Sequence, residues 1–288
     1  MASTTKKKKS QGSGKPSRRA KKKVTAASTA DKLELYQRSV NSPDTDVDFL
    51  MRVYEERRGT EPLHLREDFC GTANLSAEWI SRSDDHTAEG FDIDPEPVEW
   101  GKERNFAPLG DAAERMDFVM KDAREPSVNS PDVRTAANFS YWMFTTRREM
   151  LGYFKGAHAD LAEGGVFVID LYGGPEAITE MEEERDIGEG ATYVWDQHEY
   201  WPGSGEYKCF IHFRFDDGSE MKRAFEYNWR FWNLVELKEI LIDAGFQTAD
   251  AYFEGTDDDN EEEGNGEFDM DERGENCEAW LGYLVAAK

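Results

Sequence analysis

Three cysteines in 288 residues, Cys70, Cys209 and Cys277, are too few and too far apart for a disulfide framework, and no CxxC pair offers a zinc site. The five histidines (His64, His86, His158, His198, His212) include no HxxxH or HExxH pair, so no bound metal is expected. No apolar run approaches the ~20 residues of a membrane span, and the N-terminal lysines are not followed by the apolar core of a secretory signal. These absences point to a reducing, cytoplasmic setting without a membrane partner. Positive charge is scarce too, except in one place. Ten of the 35 Lys/Arg lie in residues 1–30, which hold no acid, so residues 31–288 set 25 basic groups against 60 acidic ones, a balance of −35. Such a body repels nucleic-acid backbone. The basic stretch has almost no large apolar residues and is expected to be disordered. It is either a solubilising tail or a tether to RNA, an anionic surface or import machinery.

What is present is a globular pattern over residues 31–288, long enough for one full core. "DKLELYQRSV" and "DVDFLMRVYEERRG" read as helices, the second with Asp46 as cap and Gly59 as stop. Strand and helix then alternate: a strand before Cys70 and a helix through Leu75 and Trp79; "AEGFDID" and a helix from about Pro95; "MDFVMKDA"; "TAANFSYW" and a helix through Met150 and Phe154; and "GGVFVIDLYGG", whose "VFVID" suits a strand buried on both faces. The alternation predicts a doubly wound, mostly parallel α/β sheet. Over residues 175–232 three strand-like runs, "ATYVWDQHEYW", "EYKCFIHFRF" and "EMKRAFEYNWRFW", are separated by "PGSG" and "DDGS", the signature of an inserted antiparallel β meander. "NLVELKEILIDAG" reads as a helix capped by Asn233 and stopped by Gly245. "TADAYFEG" and "EAWLGYLVAA" complete a seven-stranded sheet. Between them, residues 254–278 carry thirteen acids and one Arg, expected as a solvated loop. Residues 259–264 imitate half a calcium loop, but Met270 stands where the bidentate Glu belongs, so calcium is rejected.

In a doubly wound sheet, ligands bind beyond the carboxyl ends of the strands. Those ends carry Glu67/Asp68 with Gly71, then Asp92/Asp94, Asp122, Asn138, and Asp170/Tyr172. A dinucleotide needs GxGxxG to bring its pyrophosphate against backbone amides. Here the loop is Phe69-Cys70-Gly71-Thr72-Ala73-Asn74, with one glycine and flanking carboxylates. That suits a ligand without phosphate and with positive charge, as S-adenosylmethionine is. Asp92, 21 residues past Gly71, is spaced to meet ribose hydroxyls, which identifies a nucleoside without choosing the cofactor. Cys70 is expected as a small residue under the ligand and not as a nucleophile.

From about Tyr36 to the end, the chain resembles a class I S-adenosylmethionine-dependent methyltransferase with a Rossmann-like fold. "LREDFCGTA" matches the family's first motif at Glu67 and Cys70-Gly71-Thr72, with Phe69 and Ala73 replacing its outer glycines, and resembles an uncharacterised bacterial branch. "GFDIDPEPVEWGKERN" resembles the second motif, "MKDAREP" the third, and "LAEGGVFVIDLYGG" the fifth-strand signature. The resemblance implies that Asp92 holds ribose, Ile93 touches adenine, Asp122 and the Ala123 amide face the adenine edge, and Asn138 lies near the methionine end or the acceptor. With Tyr36 on the covering helices, the meander is expected to cap a pocket for a small-molecule acceptor. Tyr141, Tyr172, His198 and Arg230 are the candidate acceptor contacts. The alternatives are methylation of RNA or protein through the basic tail, a nicotinamide dehydrogenase, and a non-catalytic nucleoside-binding module. The acceptor atom and the oligomeric state are not written in the sequence.

Overall fold

The fold turns on β5 (Val166–Gly173), whose near-continuous apolar run is buried from both sides. Phe167, Ile169 and Leu171 enter one core, and Val166 and Val168 the other, as the two-residue period of a strand requires. The computed structural model describes residues 24–256 and 264–288. The basic stretch through residue 23, and the calcium-like stretch apart from Gly264, lie outside the described residues.

In chain order the elements are α1 (Ala26–Thr29), α2 (Lys32–Val40), α3 (Pro43–Arg58), β1 (His64–Asp68), α4 (Asn74–Arg82), β2 (Thr87–Asp92), α5 (Pro95–Gly101), β3 (Met116–Met120), β4 (Val133–Ala136), α6 (Arg147–Asp160) and β5. Then come β6 (Met181–Asp186), β7 (Ala191–Trp201), β8 (Glu206–Phe215), β9 (Glu220–Arg230), α7 (Leu234–Ala244), β10 (Thr248–Thr256), β11 (Gly264–Met270) and β12 (Trp280–Ala287). The main sheet runs β11-β10-β12-β5-β4-β1-β2-β3. It is parallel from β5 to β3 and antiparallel beyond. Helices α6 and α7 cover one face, and α3, α4 and α5 the other. The strand order reverses between β1 and β4, which places the ligand crevice at their carboxyl ends.

Local chemistry explains the helix ends. Asp31 caps α2 by accepting from Leu33 N at 3.0 Å, Thr146 and Glu149 form a reciprocal capping box on α6, and Asn233 caps α7 with Gly245 in the left-handed region at its end. Asp46 is not a cap. Helix α3 begins at Pro43, which places Asp46 inside it, where the Tyr283 hydroxyl donates to its carboxylate and burial pushes its pKa up to about 6.

Four departures from the sequence reading concern strands and the start of the body. The main sheet has eight strands, because residues 264–270 pair antiparallel with β10 and bury Phe268 against Phe49, although they lie in the stretch expected as loop. The cap sheet has four strands, β6-β7-β8-β9, because the acidic run at 181–186 pairs with β7. Strand β4 ends at Ala136, and "NFSYW" turns away from the sheet with Asn138 and Phe139 in the left-handed region. Order reaches back into residues 1–30, since α1 docks on the cap through Ala26 N to Asp217 and Ala27 N to Ser219, both 3.0 Å. Among the described residues, no helix is long and apolar enough to cross a membrane.

Candidate active site

The loop between β1 and α4 has the backbone of a glycine loop with only one glycine in it. Phe69, Gly71 and Ala73 all take left-handed conformations, with φ of 56°, 51° and 52°. A side chain in that region costs about 1–3 kcal/mol, so two such residues persist only where packing over-determines them. Phe69 packs beside Phe144 and Tyr153, Ala73 is fully buried, and Ala73 N closes the turn on Cys70 O at 2.6 Å. From the other side, Gly101 of α5 abuts Thr72 so closely that a Cβ there would lie 2.2 Å from the Thr72 carbonyl oxygen. Cys70 forms the floor, buried against Gly90, and burial and nearby carboxylates hold its thiol well above the usual range, the opposite of an activated nucleophile.

Asp92 ties this loop to the end of β2. Its Oδ2 accepts from Gly71 N and its Oδ1 from Asp94 N, each at 2.8 Å. It is half-buried, and a carboxylate has acceptor capacity beyond these two bonds. Next to it, Ile93 is 70% exposed, an apolar face with no protein covering it. Glu67 lies beneath, buried, with its Oε2 accepting from Ser76 N at 3.0 Å and Ser76 Oγ at 2.5 Å. Burial raises its pKa to about 7, opposed by the Ser76 bonds and reinforced by the Asp92 and Asp46 charges.

That value has a consequence for stability. Folded Glu67 keeps its proton up to about pH 7 while the unfolded chain ionises near 4.5, so stability falls as pH rises through that window. Glu67→Gln keeps an acceptor for Ser76 and removes the ionisation. In urea unfolding, the variant is expected to gain about 2–3 kcal/mol over the wild type near pH 8, with the gap closing below about pH 4.5.

Helix α2 arches over the loop. Gln37 accepts from Thr72 Oγ1 at 2.9 Å and from Asn105 Nδ2 at 3.0 Å, while Asn105 also donates to Thr72 O at 2.9 Å. Tyr36, one residue earlier, packs on Phe225 of the cap with ring centroids 4.7 Å apart and hydrogen-bonds Tyr227, and burial pushes its hydroxyl up to about 12. Asp170 at the end of β5 accepts from Asn138 N at 2.6 Å and Phe139 N at 3.0 Å, which fixes their left-handed turn. Burial raises its pKa to about 7 against those two bonds.

Asp122 is engaged before any ligand arrives: Arg124 binds it bidentately at 2.8 and 2.6 Å and keeps its pKa below the ordinary carboxylate value. Ala123 is buried, its carbonyl gripped by Arg66 and Arg134 at 2.7 and 2.6 Å. The backbone places Glu67, Cys70, Gly71, Thr72, Asp92, Ile93, Asp122, Ala123 and Asn138 at or just beyond the carboxyl ends of β1 to β4, with Tyr36 on α2.

The acceptor candidates fare differently. Tyr141 is fully buried and donates to the Asp170 carbonyl at 2.8 Å, so it is a core residue. His198 lies beside a bulge in β7, packs on Phe210 and approaches Asp196 at 3.5 Å on the outer face of the cap, and is no base for the crevice. Arg230 stacks on Trp232 and pairs with Glu236 at 2.7 Å, which commits its charge within the protein. Together with Tyr172 it lines a pocket of about 430 Å³ between the β7–β8 turn and Trp280. Tyr172 belongs to a hydroxyl chain, donating to Tyr207, which donates to Gln197, each 2.8 Å.

Outside that face, Glu182, Asp196 and His212 come within 4.8 Å of one another. Arg223 N–H donates to His212 Nδ1 at 2.8 Å, so Nε2 carries the proton and donates to Asp196 at 3.2 Å, and Arg214 holds Glu182 at 2.7 Å. That tautomer points an N–H, not a lone pair, at the cluster. Residues the sequence reading missed are Gln37 and Asn105, which carry no motif, and the pair Arg66 and Arg134, whose signal was an arginine inside each of two buried strands.

No protein-family model matches the chain, and no curated protein matches it in sequence. Solved structures share its fold. An S-adenosylmethionine-dependent methyltransferase from Clostridium acetobutylicum superposes with a TM-score of 0.64 at 16% identity, covering 87% of this chain and 96% of that one. CalS10 from Micromonospora echinaspora, an amino pentose methyltransferase, gives 0.62 at 17% identity over 88% and 94%. The sugar N-methyltransferase KedS8 from Streptoalloteichus sp. gives 0.62 at 16% identity over 96% and 99%. At such identities the likeness is one of fold: the chain has the Rossmann-like fold of the S-adenosylmethionine-dependent methyltransferases, with an antiparallel cap sheet.

Proposed function

We propose that this protein is an S-adenosylmethionine-dependent methyltransferase acting on a small molecule. The observation that carries the reading is the Phe69–Ala73 loop: it keeps left-handed geometry with a single glycine, and the half-buried Asp92 carboxylate at the end of β2 is bonded to it, where a pyrophosphate would be repelled. S-adenosylmethionine fits this set, because a nucleoside with a cationic tail finds acids, and an exposed Ile93, in place of anion-binding amides. Asp92 holds the ribose hydroxyls and Ile93 the adenine face. Asp122 and the Ala123 amide face the base edge. Glu67, Gly71, Thr72 and Asn138 surround the amino-acid end, and Tyr36 closes the crevice from above. When bound, S-adenosylmethionine supplies a sulfonium-activated methyl group, so the protein's task is to position the acceptor and exclude water.

The cap favours a small acceptor over a polymer, since α2 packs against the cap sheet through Leu35 and Tyr36. The acidic body adds to this by disfavouring RNA. The test is calorimetric titration with S-adenosylmethionine, S-adenosylhomocysteine and NADH. Micromolar binding of the first two and none of NADH is expected; NADH binding alone would overturn the assignment. Turnover on RNA or protein that is lost when residues 1–23 are removed would move the acceptor to the polymer class.

A further inference from the structure

Register sorts the cap residues between two faces. On the inner face, Tyr207 and Trp229 anchor one end of the sheet to the core around Trp142, while Ile211 and Phe213 anchor the other to Leu35 of α2. Trp195 and Tyr227 lie between these anchors and pack against both. Their rings are 5.9 Å apart, and both remain partly exposed.

Glu183 belongs to this face. It pairs in register with Trp195, whereas Glu182 and Glu184 on either side both bind Arg214 on the outer face. It is exposed, and among the described residues it has no ion-pair partner. The basic residue in register with Tyr193, Arg185, donates to the Ser39 carbonyl at the end of α2 and holds its guanidinium over the Tyr193 ring at 5.5 Å, so that ring already has its cation and Trp195 and Tyr227 do not.

Building on the methyltransferase reading, we propose that the acceptor is a protonatable amine, seated against Trp195 and Tyr227 with Glu183 as its counter-charge, and that Glu183 is the residue that selects it. Indole and phenol faces attract an organic cation through their quadrupole. An unpaired carboxylate that is desolvated when the pocket fills must find positive charge; an anion there is repelled, and a neutral ligand leaves it without a partner. The tyrosines contribute as neutral rings, because burial pushes the hydroxyls of Tyr36, Tyr193 and Tyr227 upward.

The probe is benzyltrimethylammonium, a cation with an apolar body that cannot be methylated. It is titrated by tryptophan fluorescence and calorimetry into the protein alone and into protein saturated with S-adenosylhomocysteine. The wild type is expected to bind it, with benzyl alcohol and benzoate at least about tenfold weaker, a difference worth ~1.4 kcal/mol. Glu183→Gln is expected to lose about tenfold for the cation with an unchanged unfolding temperature, and Glu182→Gln to bind as the wild type does. No binding by the wild type, equal affinity in Glu183→Gln, or benzoate binding as tightly as the cation overturns the proposal. The S-adenosylhomocysteine titration keeps the two readings apart. Cation binding by a protein that does not bind S-adenosylhomocysteine refutes the methyltransferase and leaves the amine pocket; S-adenosylhomocysteine binding without cation binding refutes the amine pocket alone.

Discussion

Replacing Asp92 by alanine is expected to lower S-adenosylmethionine affinity by about 100-fold, the equivalent of ~2.7 kcal/mol. Two effects add. A carboxylate accepting from a ribose hydroxyl makes a charge-assisted bond worth about 1.5–3 kcal/mol net of the exchange with water. The same side chain also holds the loop, since Oδ2 accepts from Gly71 N at 2.8 Å. Asp92→Asn separates these contributions: its amide oxygen can keep the Gly71 bond while the charge is gone, so it should fall between the wild type and alanine, about tenfold down. Calorimetry with S-adenosylhomocysteine, which shares the ribose but lacks the sulfonium, should show the same ratios. If Asp92→Ala binds within about threefold of the wild type, Asp92 does not hold the ribose and the nucleoside lies elsewhere in the crevice.

The parts of this molecule that sequence made legible are those where one physical signal acts alone. The apolar run at Val166–Ile169 could only be a strand covered on both sides. Asn233 and Gly245 bounded α7 through capping chemistry that needs no tertiary partner. The acids at strand ends pointed to the crevice because the doubly wound topology places every such end along one edge.

What stayed hidden depends on partners distant in sequence. The acidic β6 reads as solvated until Arg214 from β8 supplies a counter-charge for Glu182 and Glu184. Strand β11 has few strand-forming residues and is held by pairing with β10 and by Phe268 packing on Phe49. The left-handed Phe69 and Ala73 have no local signal, because glycine would be the expected residue and packing alone compensates for their side chains. His198 looked eligible as an acceptor contact because its face is decided by the irregularity between Gln197 and Glu199, and one inserted residue reverses which side of a sheet a side chain meets.

The largest loss of stability is expected from removing Arg134. Below Ala123, Arg66 and Arg134 donate to opposite oxygens of Asp68 at 2.8 and 2.7 Å, and both reach Asp160, at 2.9 and 3.2 Å. Tyr153 adds a 2.6 Å bond to Asp68, and all but the edge of Asp160 is shut off from water. Two cations and two anions balance, so the cluster is neutral. Arg134→Met leaves an excess negative charge in the interior, a change that typically costs about 3–5 kcal/mol. In urea unfolding the midpoint should fall with an unchanged slope, and the unfolding temperature should drop by roughly 10 °C. Arg134→Lys discriminates between charge and shape. Lysine restores neutrality but cannot bridge Asp68, Asp160 and the Ala123 carbonyl as a planar guanidinium does. It should therefore recover most of the stability while still weakening S-adenosylhomocysteine binding, because the Ala123 turn, which the proposed function sets against the adenine, loses one of its two anchors. Full recovery of both would mean that the network carries only charge, and that the crevice is shaped by the loop above it.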